Sequence, residues 1–479
     1  MTYLSTQTLE LYSLFDTKLI GKTIASNTII CVNSDENVDT ISVHIKNGLI
    51  NGKRQTYEGR DLDVFLGIPY AQPPIGDLRF KKPLPLDRKW EQPLDAQHWP
   101  PAQPQIYRCS QTCHVLDTRR GTHNRGSSVE KFYSGEVLSA LGDVVVVTIN
   151  YRLNVFGLLY TGAEGPAPGN MALWDQSVAL EWVVDNIRYF GGDPQRVTLF
   201  GESSGAISTS LHTLSPITRN LFTNAIVMSG SALNAFITTP DLMEGQWLRS
   251  AGSIGCDTQG NGRFTPEIIA CLMSKTPEEL MAYMQGFSDM SALTSLVIDG
   301  QFIPDSPREM LASGDYRKGM HLLIGTTGDE GSQLLNMFSP IKYHKVRPKN
   351  MSLSELAGDF REFLTAFSLD INTDEVIKFY FNGLSDEQHP DVLRRHVGQA
   401  FGDFILGCPT LLYAKAVYKG DPTANVYQYH FTAKLGEPKL FCSEWAGSCH
   451  FDDIYPVFGQ PFLNYDRYVE RESARSPDK

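Results

Sequence analysis

The sequence predicts an α/β protein in which helices cover both faces of a mostly parallel central sheet. The run Val144–Ile149, VVVVTI, is β-branched and of strand length, which is typical of a buried strand. Residues 170–192 have apolar side chains near helical spacing and end in two glycines, which indicates a helix and its end. A strand candidate at 196–200 then leads through a turn into another helix-compatible run. This order of elements predicts right-handed parallel crossovers.

The flanking segments extend the prediction in both directions. Residues 1–39 are polar and lack strong periodicity, so we expect an extension ahead of the folded body. The next residues alternate apolar and polar side chains around two Asn-Gly pairs, a pattern that predicts hairpins. Further strand candidates at 224–232 and 321–331 end in small residues and turns. In such sheets the carboxyl ends of the strands carry the functional residues.

The composition excludes several classes of function. The chain has 479 residues, 42% of them hydrophobic, which is enough for a large core. Its formal net charge is −12 and its basic residues do not cluster, so nucleic acid is not an expected partner. No segment reaches the roughly 18–20 uncharged apolar residues of a membrane-spanning helix. The N-terminus also lacks the basic start, apolar stretch and cleavage site of a signal peptide.

Residues 199–206, LFGESSGA, contain two glycines that bracket Ser203 between a strand candidate and a helix candidate. A sharp strand-to-helix turn exposes a serine hydroxyl, and the crowding of that turn requires small neighbours. The start of the helix also favours negative charge. The glycine-serine-glycine spacing occurs by chance, but in this context it favours a nucleophile over an ordinary turn serine.

A nucleophilic serine needs a base that removes its proton, and histidine is the expected base. His450 is distinct among the 11 histidines because it stands in a small-residue loop, EWAGSCHFDDIYPVFG, between apolar segments. Glu330, in LIGTTGDEGS, follows a strand candidate; it is either the acid of the site or an exposed turn carboxylate. The order Ser203, Glu330, His450 is the order of α/β-hydrolases. No metal and no cofactor is predicted.

These motifs resemble the type-B carboxylesterase/lipase family, which includes carboxylesterases, cholinesterases and the non-catalytic neuroligins. The resemblance runs from about Thr40 to Pro461 and includes the segments FLGIPYAQPPIGDLRF, VVVVTINYRLNVFGLL, GDEGS and GSCHFDDIYPVFG. It implies the α/β-hydrolase fold, with Ser203 as nucleophile, Glu330 as acid and His450 as base. Glu202 and Ser229 match positions that line or support the site in relatives.

The resemblance also assigns roles to cysteines. Eight cysteines in so long a chain do not form a disulfide scaffold, but Cys256 and Cys271 bracket a turn-rich stretch and match a disulfide-bonded loop of the family. Cys408, in GCPTLL, matches a bridging cysteine whose expected partner this chain lacks. Asn350, in NMS, is a candidate glycosylation site.

The chain departs from the family pattern at the loop that binds the oxyanion. Relatives have a strand that leads into a His-Gly-Gly-Gly type run, whereas here SQTCHVLD continues into TRRGTHNRGSSVEKFYSG, and the domain is incomplete around 117–126. Gly121 stands near the expected place, and the N–H of Ser204 is a further donor for the oxyanion. We expect unpaired sheet edges at the gap. A divergent protein, an alternative transcript and an incorrect gene structure all remain open as its origin.

The C-terminus departs as well, because a charged tail at 466–479 replaces the long helix of relatives. The predicted carboxylesterase domain therefore covers residues 40–465. By resemblance the protein is expected to be secreted or to lie in the endoplasmic reticulum, whereas the missing signal peptide leaves a cytoplasmic location open.

The leading functional prediction is a serine carboxylesterase that hydrolyses small-molecule esters through an acyl-enzyme. A cholinesterase is a narrower alternative. A broad substrate range is favoured, because Gln333 stands where cholinesterases carry an aromatic residue, and the segment 290–300 lacks paired phenylalanines. A non-catalytic or weakly active, neuroligin-like protein is the alternative from another class. A homo-oligomer is also left open.

Overall fold

The computed structural model describes residues 26–32, 40–98, 111–112, 133–234, 236–257, 260, 262–280, 295–366, 371–435 and 442–463, with 26–32 and 111–112 described as backbone. The strands within these residues are β1 (Ser26–Val32), β2 (Thr40–Ile45), β3 (Gly48–Tyr57), β4 (Arg60–Pro69), β5 (Leu94–Asp95), β6 (Gln111–Thr112), β7 (Val146–Asn150), β8 (Thr198–Glu202), β9 (Asn224–Met228), β10 (Ile237–Thr238), β11 (Leu296–Val297), β12 (His321–Thr327) and β13 (Asn425–Phe431).

The α-helices of the described residues are Glu136–Gly142, Asn154–Leu158, Met171–Asn186, Ser204–Leu214, Pro240–Ser253, Pro266–Ser274, Pro307–Ser313, Glu330–Phe338, Leu353–Ala366, Thr373–Phe381, Pro390–Gly402, Cys408–Gly420, Ile454–Val457 and Gln460–Leu463. A π-helical turn, Asp403–Gly407, joins two of them. The predicted α/β character is confirmed.

The strands β8, β9, β12 and β13 form a parallel sheet in the order β13-β12-β9-β8. It contains the predicted strands at 196–200, 224–232 and 321–331, whereas the predicted strand at 144–149 is β7, which lies in the other large sheet and pairs there in antiparallel fashion. The helix Ser204–Leu214 packs on β8 and β9, and the helix Cys408–Gly420 packs on β12 and β13. All four strands therefore end at the same edge, where parallel sheets place their functional residues.

The other large sheet has the order β2-β3-β4-β1-β7-β6, with β5 beside β3. Its strand β1 lies between β4 and β7 and is antiparallel to both. Because β1 falls within residues 1–39, the sheet begins earlier than the sequence predicts. Apart from its β-branched composition, β1 has no local signature, since the pairing with β7 joins distant parts of the chain.

Within the described residues, the strands β7 and β8 each have an edge that is not fully paired. One edge of β7 is paired with β1 along its length, whereas on its other edge the residues that the structure describes pair at Thr148 and Ile149, with β6. Among the described residues β8 pairs with β9 and with no second strand. A groove of about 240 Å³ lies between the starts of β7 and β8 and is lined in part by Val147 and Val197.

The two Asn-Gly pairs have different roles. The first is at the predicted turn, where Lys46 and Asn47 connect β2 to β3. The second lies inside β3, and a Cβ at Gly52 would be 2.5 Å from the ring of Phe65. This glycine therefore allows a close approach of strand and ring rather than a turn. The next hairpin turns at Glu58 and Gly59, both with positive φ, which is typical of a tight hairpin turn.

One helical run of the described residues, Pro390–Gly420, is long and apolar enough to cross a membrane by length and composition. Charged residues interrupt it, Asp403 and Lys415 among them, so it is not an uncharged stretch of the kind sought in the sequence. More than half of its most apolar window is buried inside the protein. Buried core helices share this property, so the run is weak support for a membrane span.

A buried ion pair joins the end of β7 to the helix Met171–Asn186. The Arg152 guanidinium donates to both carboxylate oxygens of Asp175, at 2.8 and 2.7 Å, and also to the Lys81 carbonyl oxygen at 2.6 Å. Both side chains are 2% exposed. Removal of one partner from such a pair leaves an uncompensated buried charge.

We therefore expect Asp175→Ala to lower the free energy of unfolding by about 3–5 kcal/mol. The matched control is Asp185→Ala, which breaks the Lys46–Asp185 pair, in which both side chains are 55% exposed. The control substitution should lower the free energy of unfolding by less than about 1 kcal/mol. Urea denaturation followed by circular dichroism measures both; equal losses would contradict the importance assigned to the buried pair.

Candidate active site

Ser203 lies at the turn between β8 and the helix Ser204–Leu214. Its φ of 59° and ψ of −120° are sparsely populated by residues other than glycine and cost on the order of 1–3 kcal/mol. The Ser203 N–H donates to the Met228 carbonyl oxygen at 2.8 Å, which ties the turn to β9. A Cβ at Gly230 would lie 2.5 Å from the Ser203 carbonyl oxygen. Neighbouring backbone thus holds the hydroxyl in a strained turn.

Ser203, His450 and Glu330 are joined in one chain of hydrogen bonds. The His450 Nε2 atom is 2.8 Å from Ser203 Oγ, and the Nδ1 atom is 2.6 Å from Glu330 Oε2. An imidazole protonated on Nδ1 donates to Glu330 and accepts from the serine hydroxyl. Glu330 and His450 are each 5% exposed. The structure brings together all three residues that the sequence predicts, in an arrangement that can transfer a proton from Ser203 to His450.

Glu330 is held by the turn that follows β12. Its Oε1 atom accepts from the Thr327 N–H at 2.7 Å, so both carboxylate oxygens have a donor. It begins the helix Glu330–Phe338, which crosses the helix Pro390–Gly402 at close range. A Cβ at Gly331 would overlap the Gly398 carbonyl oxygen. The glycine after the acid therefore permits the helix crossing that fixes the carboxylate.

Asp329 connects the turn of the acid to the loop of the base. Its N–H donates to the Ser448 carbonyl oxygen at 2.7 Å, and its Oδ2 atom accepts from the Gly447 N–H at 2.7 Å. Its Oδ1 atom accepts from the Ser332 N–H at 3.2 Å and so caps the helix. The sequence prediction leaves Asp329 out, although an aspartate just ahead of a helix is a typical capping signal.

Two disulfides occur among the described residues. Cys256–Cys271 confirms the bond that the resemblance implies, and Cys442–Cys449 is a second bond that the sequence does not predict. Cys442, Cys449 and Asp452 place potential metal ligands within 4.8 Å of one another. The two sulfurs are bonded to each other, so they offer no thiolate to a metal. Cys408 is exposed and has a free thiol.

Glu202 and Ser229 lie beside the three linked side chains, as the resemblance implies. The Glu202 Oε1 atom is 3.3 Å from His450 Nε2, on the side of the imidazole that faces Ser203. Ser229 follows β9 at a φ of 58°, and its N–H donates to the Gly325 carbonyl oxygen at 2.8 Å. Both side chains are fully buried. Their positions suit a supporting role at the site.

Asp453 is a further buried carboxyl group near the site. It accepts a hydrogen bond from the Tyr429 hydroxyl at 2.7 Å. Burial raises the pKa of the Asp453 carboxyl to about 7, the hydrogen bond from Tyr429 opposes this shift, and the negative charge of Glu330 adds to it. The sequence shows two aspartates shortly after the base, in HFDD, but gives no sign that the Asp453 carboxyl is buried.

The remaining predicted residues differ in what the structure describes. Ser204 is buried at the first position of its helix, where a backbone N–H has no acceptor within the helix. Gly121 and the region 117–126 lie outside the described residues, as does the tail 466–479. Asn350 is exposed, and its Oδ1 atom accepts from Arg394 at 3.3 Å. Its glycosylation stays a prediction.

A serine at a strand–helix turn, linked to a histidine and a glutamate beyond the ends of parallel strands, is the arrangement of an α/β-hydrolase. Comparison with known proteins agrees. The sequence model of the carboxylesterase family matches residues 39–124 and 120–476. The chain belongs to the carboxylesterase family, and its fold is the α/β-hydrolase fold.

Individual relatives extend over most of the chain. It is 33% identical to Acetylcholinesterase-1 of Trittame loki, over 90% of this chain and 82% of that protein. It is 32% identical to Cholinesterase of Mus musculus, over 89% of this chain and 75% of that protein. It is 30% identical to Acetylcholinesterase of Bungarus fasciatus, over 91% and 76%.

The raised pKa of Asp453 predicts a pH dependence of stability. A carboxyl group whose pKa rises on folding stabilises the folded state most at low pH, and this stabilisation is lost as pH rises from about 4 to about 7. Asp453→Asn should therefore raise the melting temperature relative to wild type at about pH 8 more than at about pH 4.5. Differential scanning calorimetry at several pH values measures the difference.

Tyr429→Phe is the companion variant of this test. It removes the hydrogen bond that opposes the shift, so the loss of stability should extend to higher pH than in wild type. A melting-temperature difference between wild type and Asp453→Asn that does not change with pH would contradict the assigned role of Asp453.

Proposed function

We propose that this chain hydrolyses carboxylic esters of small molecules through an acyl-enzyme on Ser203. Ser203 is the nucleophile, His450 the general base and then general acid, and Glu330 the group that orients and stabilises the imidazole. The observation that carries the proposal is the unbroken hydrogen-bond chain from Glu330 through His450 to the hydroxyl of Ser203. Membership of a family of carboxylic ester hydrolases supports it.

In the first half-reaction Ser203 Oγ attacks the ester carbonyl carbon while His450 Nε2 takes the hydroxyl proton. The tetrahedral intermediate collapses, His450 gives this proton to the departing alkoxide, and an alcohol leaves. In the second half-reaction His450 deprotonates water, which attacks the acyl carbon. The bond from this carbon to Ser203 Oγ then breaks, His450 returns the proton to Oγ, and a carboxylic acid leaves. The Glu330 carboxylate at Nδ1 stabilises the imidazolium in both steps, and the nearby Glu202 carboxylate adds to this stabilisation.

The roles assigned to Ser203 and His450 predict non-additive losses. Ser203→Ala, His450→Ala and the double variant should each lower kcat/KM by roughly a thousandfold or more and to a similar extent, because the residues act as a unit. Glu330→Gln should lower it less. Steady-state turnover of a nitrophenyl ester measures this, with circular dichroism to confirm the fold; multiplicative losses would remove His450 from the role of base.

The oxyanion is expected to be bound weakly. The Ser204 N–H is suitably placed at the start of its helix, whereas the other expected donors belong to the region that contains Gly121. Each missing donor lowers the rate by about 100- to 1000-fold. The two segments of the family match meet at residues 120–124, which supports an interruption there.

We therefore expect turnover several orders of magnitude below that of an intact relative. The measurement is kcat for an activated ester with purified, monodisperse protein, with Ser203→Ala as the blank and the mouse Cholinesterase as the reference. A rate equal to that of the reference would mean that the residues around Gly121 form a complete oxyanion hole.

A cholinesterase is the second candidate, because relatives at 30–33% identity carry cholinesterase names. We favour a broader ester range, since Gln333 stands on the helix of the acid where cholinesterases carry an aromatic residue. The test compares kcat/KM for naphthyl butyrate and acetylthiocholine. A strong preference for acetylthiocholine would replace the broad esterase by the cholinesterase.

A non-catalytic binding protein is the alternative from another class. It is disfavoured by the three linked side chains, since a protein that acts only through its surface has no need of them. Labelling with a fluorophosphonate probe separates the two: an esterase labels at Ser203 and its Ser203→Ala variant does not. An unlabelled wild-type protein of intact fold would favour the binding protein.

The cellular compartment, the bounds of the catalytic domain and the oligomeric state are also matters of proposal. The disulfides Cys256–Cys271 and Cys442–Cys449 support an oxidising compartment, such as the endoplasmic reticulum or the extracellular space. The catalytic domain is proposed to cover 40–465 together with the strand β1. Sedimentation of the purified protein would decide whether it forms a homo-oligomer.

A further inference from the structure

The Cys442–Cys449 disulfide closes the stretch of chain that leads directly into His450. Both cysteines are buried, at 4% and 0% exposure. Neither sulfur has a part in the proposed reaction. The other disulfide, Cys256–Cys271, joins the residues after the helix Pro240–Ser253 to the helix Pro266–Ser274, and these helices carry none of the three linked side chains.

The stretch closed by the disulfide is fixed at two places. Near its start, the Glu444 N–H donates to the Lys345 carbonyl oxygen at 3.1 Å and the Trp445 indole N–H donates to the His344 carbonyl oxygen at 3.2 Å. Near its end, Gly447 and Ser448 are bound to Asp329, as described above. These contacts do not depend on the oxidation state of the sulfurs.

Cys449 itself is the residue between Ser448, which is bound to Asp329, and the base His450. Its backbone N–H donates to Asp452 Oδ2 at 2.8 Å, so a single short turn carries His450. The disulfide connects this turn to Cys442, which precedes in the chain both sets of contacts, the one at Lys345 and the one at Asp329. It is the one covalent link between the turn of the base and the rest of its loop other than the backbone.

We propose that Cys442–Cys449 is a redox-sensitive positioning element for His450: the oxidised form holds the imidazole against Ser203 and Glu330, and reduction loosens it. The proposal rests on the proposed function, because the effect is on ester turnover. The reductant is a dithiol. One thiolate attacks a cysteine sulfur, the disulfide breaks and the other cysteine leaves as thiolate; the second thiolate then resolves the mixed disulfide.

The products are two protein thiols and an oxidised dithiol, with two electrons transferred to the protein and two protons taken up. Because the anchors at Lys345 and Asp329 persist, the loss is local and the fold remains. Misplacement of a catalytic group by about 1 Å lowers rates by as much as roughly 100-fold. We expect reduction to lower kcat by about 10- to 100-fold with little change in KM.

The experiment uses the full chain in three forms: wild type, Cys442→Ser/Cys449→Ser and the matched control Cys256→Ser/Cys271→Ser. Each is incubated with dithiothreitol, and Ser203-dependent turnover is followed while differential alkylation and mass spectrometry report which pair is reduced. Near-ultraviolet circular dichroism monitors the fold. Activity is then followed on reoxidation with oxidised glutathione.

The expected result is that activity of wild type and of the Cys256/Cys271 control falls as Cys442–Cys449 is reduced and recovers on reoxidation. The Cys442/Cys449 variant should have the low activity throughout and not respond. Full activity of reduced wild type, or of a folded Cys442/Cys449 variant, would overturn the proposal. If that variant does not fold, the activity of wild type against the reduced fraction of this pair decides the question.

A second measurement separates failure of this inference from failure of the proposed function. Hydrogen exchange of the peptide that spans Gly447–Phe451 is compared in oxidised and reduced wild type, independently of turnover. Faster exchange on reduction supports the proposal, and unchanged exchange contradicts it. Absence of Ser203-dependent turnover in the oxidised protein would instead refute the esterase, whatever the exchange shows.

Discussion

The site depends on the register of the parallel strands β8, β9, β12 and β13. Glu202 lies opposite Met228, and Met228 lies opposite Gly325, so Ser203 and Ser229 follow their strands side by side. The turn that leads to Glu330 begins where β12 ends beside β13. A shift of one strand by one residue would turn its side chains to the other face. The geometry of the three linked side chains therefore depends on the pairing of the backbone strands that position them.

Strain and buried charge accompany this arrangement. Ser203 adopts a backbone conformation suited to glycine, and the side chains of Glu202, Glu330 and Asp453 are buried. Each of these features opposes folding, and the core on both sides compensates for them. Active sites commonly combine such features, because a group that its folded environment fully stabilises is seldom reactive.

The sequence predicts well those parts of the site whose signals are local. Ser203, Glu330 and His450 each follow a strand or stand in a loop with a recognisable pattern of small residues. The hydrogen bonds of Asp329 to Gly447 and Ser448 and the bond between Cys442 and Cys449 are harder to predict, because the way two loops meet in space decides which residues pair. The strand β1 is missed for the same reason: its neighbours β4 and β7 are set by the topology of the sheet, which the local sequence of residues 26–32 does not reveal.

The central position of β1 has a consequence for synthesis on the ribosome. This strand is made before either neighbour, and β7 begins only at Val146. At a synthesis rate of about 5–20 residues per second, the edge of β1 that pairs with β7 stays unpaired for on the order of ten seconds. During that time an apolar, β-branched segment is available to any other extended chain, including a second nascent copy. Pairing of this segment with another chain is thus a competing reaction during synthesis, and it ends once β4 and β7 occupy both edges of β1.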